Sequence, residues 1–355
     1  MTDLLKELVR SWEGEAVVTK YDRPTGTWIF IALHSTALGA AFGGCRMRVY
    51  ERPEDGLEDA MRLAEGMTHK WAAVEMEFGG GKSVLAVKQP LTGGDRAGLL
   101  RRFGHLLETL GGRYMAGVDL GTTPEDMRTV NEVTSYVCGA DRNRFPIEDP
   151  GPFTATGVLM GIRAALQHRF GDESIQGRRI LIQGVGDVGA PLAHMLNDEG
   201  ASLTLTDIDQ ARARTLADEL GAEIVAPERA LEVECNIYAP CAVGATLNAT
   251  SIPKLQCDVV AGSANNQLSE SDDANRLHDR GILYAPDYVI NAGGAIAFGM
   301  MFKGMRDEAG IRLRVERIRD SLREIFDQAA RRNESPLVAA RKRVDRVLET
   351  ARRQS

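Results

Sequence analysis

Residues 180–207 constrain the fold more than any other stretch of this chain. Ile180-Leu181-Ile182-Gln183 is an apolar, strand-like run. Gly184-Val185-Gly186-Asp187-Val188-Gly189 follows it, and Leu192 with Met195-Leu196 then takes up helical spacing. A second strand-like run, Leu203–Thr206, ends at Asp207, near the ~20-residue distance at which an acid closes such a unit. The glycine pattern alone is weak. Set between a strand and a helix, with an acid after the next strand, it specifies a βαβ unit of a parallel sheet that takes a dinucleotide. Gly184 permits the tight turn, Gly186 lets a pyrophosphate approach the backbone, and Gly189 lets helix and strand pack closely. Val185, Asp187 and Val188 complete the turn, where the helix N-terminus offers free N–H groups and partial positive charge. Asp207 is expected to accept hydrogen bonds from ribose hydroxyls and to repel a 2′-phosphate, which favours NAD over NADP. Arg212 and Arg214 read as solvated helix charges. The competing reading is a glycine-rich β–α turn with no ligand.

The alternation continues through Glu223–Val225, Asn236–Ala239, Asp258–Ala261 and Ile282–Tyr284, as in a parallel sheet. The N-terminal part reads as mixed α/β. Strand-like runs at Ala16–Thr19 and Thr27–Ala32 precede helical spacing over Leu57, Ala60, Met61, Ala64, Met67 and Trp71, in a segment that also carries Lys70. Gly79-Gly80-Gly81 interrupts before Lys82 and a strand at Val84–Val87. A helix over Asp95–Leu110 and a strand over Arg113–Val118 follow, and Thr123-Pro124-Glu125-Asp126 starts another helix. Gly139–Pro152 reads as a linker or active-site loop, followed by a helix over Thr154–Phe170. Further helices run over Ile311–Phe326 and from Ser335-Pro336 onward. At roughly 150 residues per domain, 355 residues hold about two domains. The boundaries are read as 1–145 for a substrate-binding and catalytic domain, 146–310 for a Rossmann domain and 311–355 for C-terminal helices. The fold class is thus α/β in two domains, with a cleft expected between them.

The 37 glycines exceed the usual ~7% share. Gly43-Gly44, Gly79–Gly81, Gly184/Gly186/Gly189 and Gly293-Gly294 are expected to line ligand-facing turns. A net charge of -7 argues against a large nucleic-acid-binding face. Five scattered cysteines without a CxxC pair suggest neither a metal site nor a disulfide framework, and point to a reduced, cytoplasmic setting. The N-terminal residues lack a signal-peptide apolar run, and no 18-residue apolar stretch occurs, so no membrane association is expected.

Lys70 and Lys82 are the candidate chemistry of the first domain. Three glycines before Lys82 suggest an amine held in a crevice, where desolvation and a neighbouring cation favour general-base use. Asp119 ends a strand ahead of Gly121, at the sheet edge where ligands tend to bind. The plain alternatives are a solvated lysine and a turn-capping aspartate.

Several segments occur in a telling order: Gly43-Gly44-Cys45-Arg46, Gly66-Met67-Thr68-His69-Lys70, Gly79-Gly80-Gly81-Lys82 and Asp119-Leu120-Gly121-Thr122-Thr123, then the Rossmann unit. Ala239-Pro240-Cys241-Ala242, Gly262-Ser263-Ala264-Asn265-Asn266 and Ala285-Pro286-Asp287-Tyr288 follow, leading into Asn291-Ala292-Gly293-Gly294. Together, over nearly the whole chain, they resemble the glutamate/leucine/phenylalanine/valine dehydrogenases, and more closely the shorter leucine, phenylalanine and valine branch. The resemblance implies reversible conversion of an L-amino acid, NAD⁺ and water to a 2-oxo acid, ammonium and NADH, by a homo-oligomer. It implies that Lys70 binds the substrate carboxylate, that Lys82 is the general base and that Asp119 transfers protons. It places Thr154, Ala239, Cys241, Asn265 and Asn291 with the cofactor, and the C-terminal helices back on the first domain.

The side-chain pocket departs from the pattern. Phe42 and Phe298 stand where smaller aliphatic residues are expected, whereas Gly117 and Ala295 leave room, and Gly43, Gly44 and Met67 complete the expected substrate contacts. Two rings either narrow the pocket, stack on an aromatic substrate or point into the core, so the substrate stays open between branched-chain and aromatic. Cys45 reads as a buried packing residue. The alternatives are another two-domain Rossmann dehydrogenase, malic-enzyme-like or shikimate-like, or a non-catalytic nucleotide-sensing relative.

Overall fold

Burial of two apolar faces shapes the N-terminal half. The computed structural model describes residues 10–139 and 149–354; most of the loop expected over Gly139–Pro152 lies outside them. By internal contacts the chain divides into two units. The first comprises 1–148, 298–306 and 346–355, and the second 149–297 and 307–345.

In the first unit, β1 (Ala16–Asp22), β2 (Thr27–Ser35), β3 (Ala41–Val49), β4 (Gly79–Val87) and β5 (Tyr114–Val118) form one sheet in the order β1-β2-β4-β3-β5. β3 runs parallel to β4 and β5; β2 runs antiparallel to β1 and β4. One face carries Ile29, Ile31, Cys45, Met47, Leu85, Val87 and Tyr114. It packs on Leu99, Phe103 and Leu107 of α2 (Gly93–Thr109) and on Met127 and Val130 of α3 (Pro124–Asn131). The other face carries Phe30, Ala32, Val84 and Ala86 against Leu57, Ala60, Met61 and Ala64 of α1 (Pro53–Ala73). The result is a sheet covered by helices on both sides. α1 starts with Pro53, Glu54 and Asp55 and carries Lys70 in its last turn, charges that suit the helix dipole.

Two expectations need correction here. Gly79–Gly81 are not a break before a strand; they are its first residues, and every residue of β4 is buried. Their smallness serves packing. A Cβ on Gly80 would lie 2.0 Å from the Thr68 hydroxyl and 2.6 Å from the Ala64 carbonyl of α1. Strand β3, which spans Gly43-Gly44, has no counterpart among the strand-like runs read from sequence, because two glycines and two arginines hide its period.

The second unit has a six-stranded, all-parallel sheet in the order β11-β10-β9-β6-β7-β8. Its strands are β6 (Arg179–Gln183), β7 (Ser202–Thr206), β8 (Glu223–Ile224), β9 (Cys235–Pro240), β10 (Cys257–Val260) and β11 (Leu283–Tyr284). The order reverses at β6, the switch point beyond which ligands bind in open parallel sheets. α4 (Gly151–Phe170) packs on the helix Ile318–Arg332. The expected helix Ile311–Phe326 is two, Glu308–Glu316 and Ile318–Arg332, meeting at Arg317. The C-terminal helices do not return as a block: 311–345 group with the second unit and only 346–355 with the first. No helix among the described residues is long and apolar enough to cross a membrane.

Candidate functional site

The register of β4, β3 and β5 sets the polar centre of the first unit. Phe42 aligns with Gly80 on one side and Met115 on the other, and Gly44 with Gly117. Lys82 lies two residues beyond Gly80 on the same strand face. It is 5% exposed, and its Nζ stands 2.8 Å from Asp119 Oδ1. Gly44 makes this pairing possible. A Cβ there would lie 2.7 Å from the Asp119 Cβ and 3.2 Å from Lys82 Nζ. Arg46, next along that face of β3, donates through Nε to Asp119 Oδ2 at 2.8 Å. Burial pushes the Asp119 carboxyl up, but Lys82 and Arg46 outweigh it and hold it below the usual carboxylate range. The Asp119 backbone is fixed as well. Its N–H donates to the Thr122 hydroxyl at 3.0 Å, which in turn donates to the Cys45 carbonyl at 2.8 Å. The two cations thus address different oxygens of one carboxylate. Lys70 lies half-buried in the last turn of α1, and Met67 Cγ lies 3.4 Å from where a Gly43 Cβ would sit.

Beside this centre lies an aromatic cluster. Phe42 is 5% exposed, stacks on Trp71 at 5.5 Å between ring centroids, and meets Phe78 edge-on at 5.4 Å and Phe302 at 6.1 Å. Trp71 Nε1 donates to the Phe42 carbonyl at 3.0 Å. Of the alternatives for Phe42, the ring is largely committed to this cluster, with one edge turned to Gly117: Cε2 is 3.7 Å from the position of a Gly117 Cβ. Phe298 is half-buried, with Cε1 3.8 Å from the position of a Gly139 Cβ, and its carbonyl faces the Cys138 thiol. Cys45 is fully buried and its thiol is pushed up to about 12 by that burial, which suits packing and not nucleophilic chemistry.

In the second unit the glycine turn follows β6 and opens the helix Gly189–Asp198. Gly184 has φ +95°, and a Cβ on Gly189 would lie 1.8 Å from the Gly184 carbonyl, so both glycines are required by the turn itself. Gly186 differs, because a Cβ there would meet nothing within 4 Å. It faces open space at a helix N-terminus, the cradle a pyrophosphate needs. Asp207, 6% exposed, accepts from the Val185 N–H at 2.8 Å and the Asp209 N–H at 2.9 Å. The Val185 N–H is therefore spent on Asp207 and is not offered to a phosphate. Arg212 is not a merely solvated charge: its guanidinium lies 3.0 Å from both Asp207 oxygens. Burial pushes the Asp207 carboxyl up; the Val185 and Asp209 amides and Arg212 more than reverse this. These residues fit a dinucleotide.

Other expected cofactor residues take up structural bonds. Thr154 donates to the Pro150 carbonyl and accepts from the Gly294 N–H, both at 3.1 Å. Asn291 donates to the exposed Asn265 at 2.8 Å and to the Ser263 carbonyl at 3.1 Å. Ala239 is fully buried in β9, Cys241 donates its N–H to the Gln183 carbonyl at 2.7 Å, and Ala295 is half-buried. Gly293 is set by packing: its Cβ would lie 2.1 Å from the Phe153 carbonyl. Not every glycine of these clusters is explained by a ligand, since Gly80 lets β4 meet α1 and Gly293 lets its helix meet α4. Sequence reasoning missed Arg46, Trp71 and Phe78 as parts of the first unit's polar centre and aromatic cluster, and with them Asp59, which Arg46 Nη1 meets at 2.8 Å. The available signal was that Arg46 follows Gly44 by two residues, on the same face of an extended strand.

Comparison with known proteins agrees with this architecture. Residues 20–136 match the model of the Glu/Leu/Phe/Val dehydrogenase dimerisation domain, and residues 204–353 that of the Glutamate/Leucine/Phenylalanine/Valine dehydrogenase domain. The chain is 40% identical to the leucine dehydrogenase of Thermoactinomyces intermedius, covering 98% of this chain and 94% of that one. It is 39% identical to the phenylalanine dehydrogenase of Lysinibacillus sphaericus, over 94% and 88%. The crystal structure of L-tryptophan dehydrogenase from Nostoc punctiforme superimposes with a TM-score of 0.87 at 35% identity, covering 98% of this chain and 99% of that one. The malic-enzyme-like, shikimate-like and non-catalytic alternatives give way to one conclusion: the chain belongs to the glutamate/leucine/phenylalanine/valine dehydrogenase family and is an oxidoreductase of the amino acid dehydrogenase kind.

Proposed function

We propose that the protein catalyses NAD-dependent oxidative deamination of an L-amino acid with a large apolar side chain, reversibly. The observation that carries this reading is the ion pair of buried Lys82 with half-buried Asp119, set beside a strand position emptied by Gly44. Lys70, a cation on α1, holds the substrate carboxylate. The bound dinucleotide supplies the two-electron oxidation at the substrate Cα. Lys82, in its neutral amine form, takes a proton from water as it attacks the resulting imine carbon, and Asp119 holds Lys82 in place and exchanges protons with the amino nitrogen. Gly184, Gly186, Asp187, Val188 and Gly189 hold the pyrophosphate, and Asp207 takes the ribose hydroxyls, which favours NAD over NADP. Thr154, Asn265 and Asn291 flank the nicotinamide, with Ala239 and Cys241 contributing backbone.

Phe42, Gly117 and Phe298 line the side-chain pocket. Their apolar character excludes a charged side chain and suits branched-chain or aromatic substrates, in keeping with relatives named for leucine, phenylalanine and tryptophan. The protein is read as a cytoplasmic homo-oligomer. The free cysteines support the compartment, and the match to a dimerisation domain supports assembly. The deciding experiment is NADH oxidation with ammonium and a panel of branched, aromatic and linear 2-oxo acids. Turnover with bulky apolar acids is expected, and absence of turnover with every acid rejects the reading.

A further inference from the structure

Lys82 is the buried end of a longer alternation of charge that continues through Asp119. Arg46 reaches Asp119 through Nε and Asp59 through Nη1, both at 2.8 Å. Asp59, on α1, is held in turn by the Tyr50 hydroxyl at 2.7 Å and by Arg62 at 2.8 Å. From Lys82 outward the order is cation, anion, cation, anion, cation. Side-chain exposure is 6% at Lys82 and 52% at Arg62, with Asp119 at 22%, Arg46 at 17% and Asp59 at 13% between them.

We propose that Arg46 is a positioning residue for the reaction: clamped from behind by Asp59, its guanidinium fixes the Asp119 carboxylate so that one oxygen stays turned to Lys82. Three observations support it. The two Asp119 oxygens are taken by two different cations, so the carboxylate cannot rotate without breaking one contact. The planar fork of an arginine holds two carboxylates through separate nitrogens in a fixed geometry, which a single ammonium does not reproduce. Asp59 is itself held through both oxygens, so the clamp is rigid at its far end. The inference rests on the reading of Asp119 as a proton-transfer group.

The test uses the full-length protein and four variants: Arg46→Gln, Arg46→Lys, Asp119→Asn, and Arg46→Gln combined with Asp119→Asn. The readouts are kcat and KM for the 2-oxo acid, NADH affinity by fluorescence, and thermal midpoint. Arg46→Gln is expected to lower kcat on the order of 10²-fold, the effect of a displaced catalytic group, with NADH affinity unchanged. Arg46→Lys recovers part of the loss. In the Asp119→Asn background, Arg46→Gln costs about twofold or less, because residues acting as a unit are not additive. Wild-type kcat in Arg46→Gln overturns the inference. So does a loss that multiplies undiminished onto that of Asp119→Asn, since it marks a role independent of Asp119. If Asp119→Asn itself keeps wild-type kcat, the underlying assignment of Asp119 fails. If only Arg46→Gln is silent, the positioning role alone fails. Should Arg46→Gln not fold, Asp59→Asn takes its place, with an expected loss of about tenfold and the same dependence on Asp119.

Discussion

Asp119 and Asp207 each follow the last residue of a parallel strand, the first half-buried and the second buried, and they are held in opposite ways. Asp207 is fixed by two amide N–H groups close in sequence and in the turn it faces, with Arg212 one helical turn further on. Its surroundings are local and belong to a single βαβ unit. The Asp119 carboxylate is held by side chains alone, Lys82 from β4 and Arg46 from β3, across three strands and through a gap left by Gly44. The first arrangement survives most changes elsewhere in the sheet. The second fails if any one strand shifts, so the chemistry of the first unit is the more fragile of the two sites.

The largest expected effect sharpens this contrast. Lys82→Ala should lower turnover about 10²–10⁴-fold, the range for loss of a general base, while NADH binding stays intact. Steady-state kinetics and fluorescence titration measure the two sides, and retained turnover removes Lys82 from its assigned role. Gly44→Ala comes next. Its Cβ would lie 2.7 Å from the Asp119 Cβ and 2.9 Å from the Val118 carbonyl. It should cost about 10²-fold in kcat and roughly 1–3 kcal/mol of stability through overpacking. The matching change in the second unit is Gly186→Ala, which meets nothing within 4 Å. Its thermal midpoint should stay unchanged while dinucleotide affinity falls about tenfold, ~1.4 kcal/mol. Equal stability losses for the two variants would break the comparison.

Asp207→Ala tests the local site directly. Removing the carboxylate leaves Arg212 without its partner and free to meet a 2′-phosphate. The ratio of kcat/KM for NADPH over NADH should rise about tenfold or more, ~1.4 kcal/mol, with KM for the 2-oxo acid unchanged at saturating cofactor. An unchanged ratio means that discrimination lies elsewhere.

The same contrast explains what the sequence made legible. The dinucleotide half could be read from one contiguous stretch, because turn, helix start and acid fall at fixed spacings along the chain. Lys82 and Asp119 could be singled out by their flanking glycines and strand end, but not their contact, which depends on β3 lying between β4 and β5. β3 escaped notice because Gly43 and Gly44 break its apolar alternation, and with it went Arg46 and the clamp at Asp59. Gly80 and Gly293 looked like ligand-facing positions because sequence shows only that a side chain is missing. The structure shows that what fills the space is another helix.

The smallest expected effect concerns how each unit tolerates acid. In the first unit the carboxyls of Asp22, Asp59, Asp119 and Asp126 are all held below the ordinary range. In each, burial pushes upward and partner groups, arginines among them, more than compensate. In the second unit, among the described residues, Asp207 alone is so shifted. A carboxyl depressed in the folded state adds stability above its unfolded value near 4, and that stability is lost as pH falls through the folded value. The first unit should therefore loosen before the second below about pH 4, seen as earlier loss of hydrogen-exchange protection in β1–β5. Asp22 isolates one contributor away from the active site. It is 2% exposed, accepts from Arg102 at 2.5 and 2.9 Å and from the Thr25 hydroxyl at 2.6 Å. Asp22→Asn should cost about 1 kcal/mol, a fall of roughly 2–4 °C in thermal midpoint at neutral pH. The gap from wild type should narrow as pH drops below 4, because protonation then removes the same charge from the native residue. A gap that stays constant with pH would assign the loss to packing and leave the acid sensitivity of the first unit to its other depressed carboxylates.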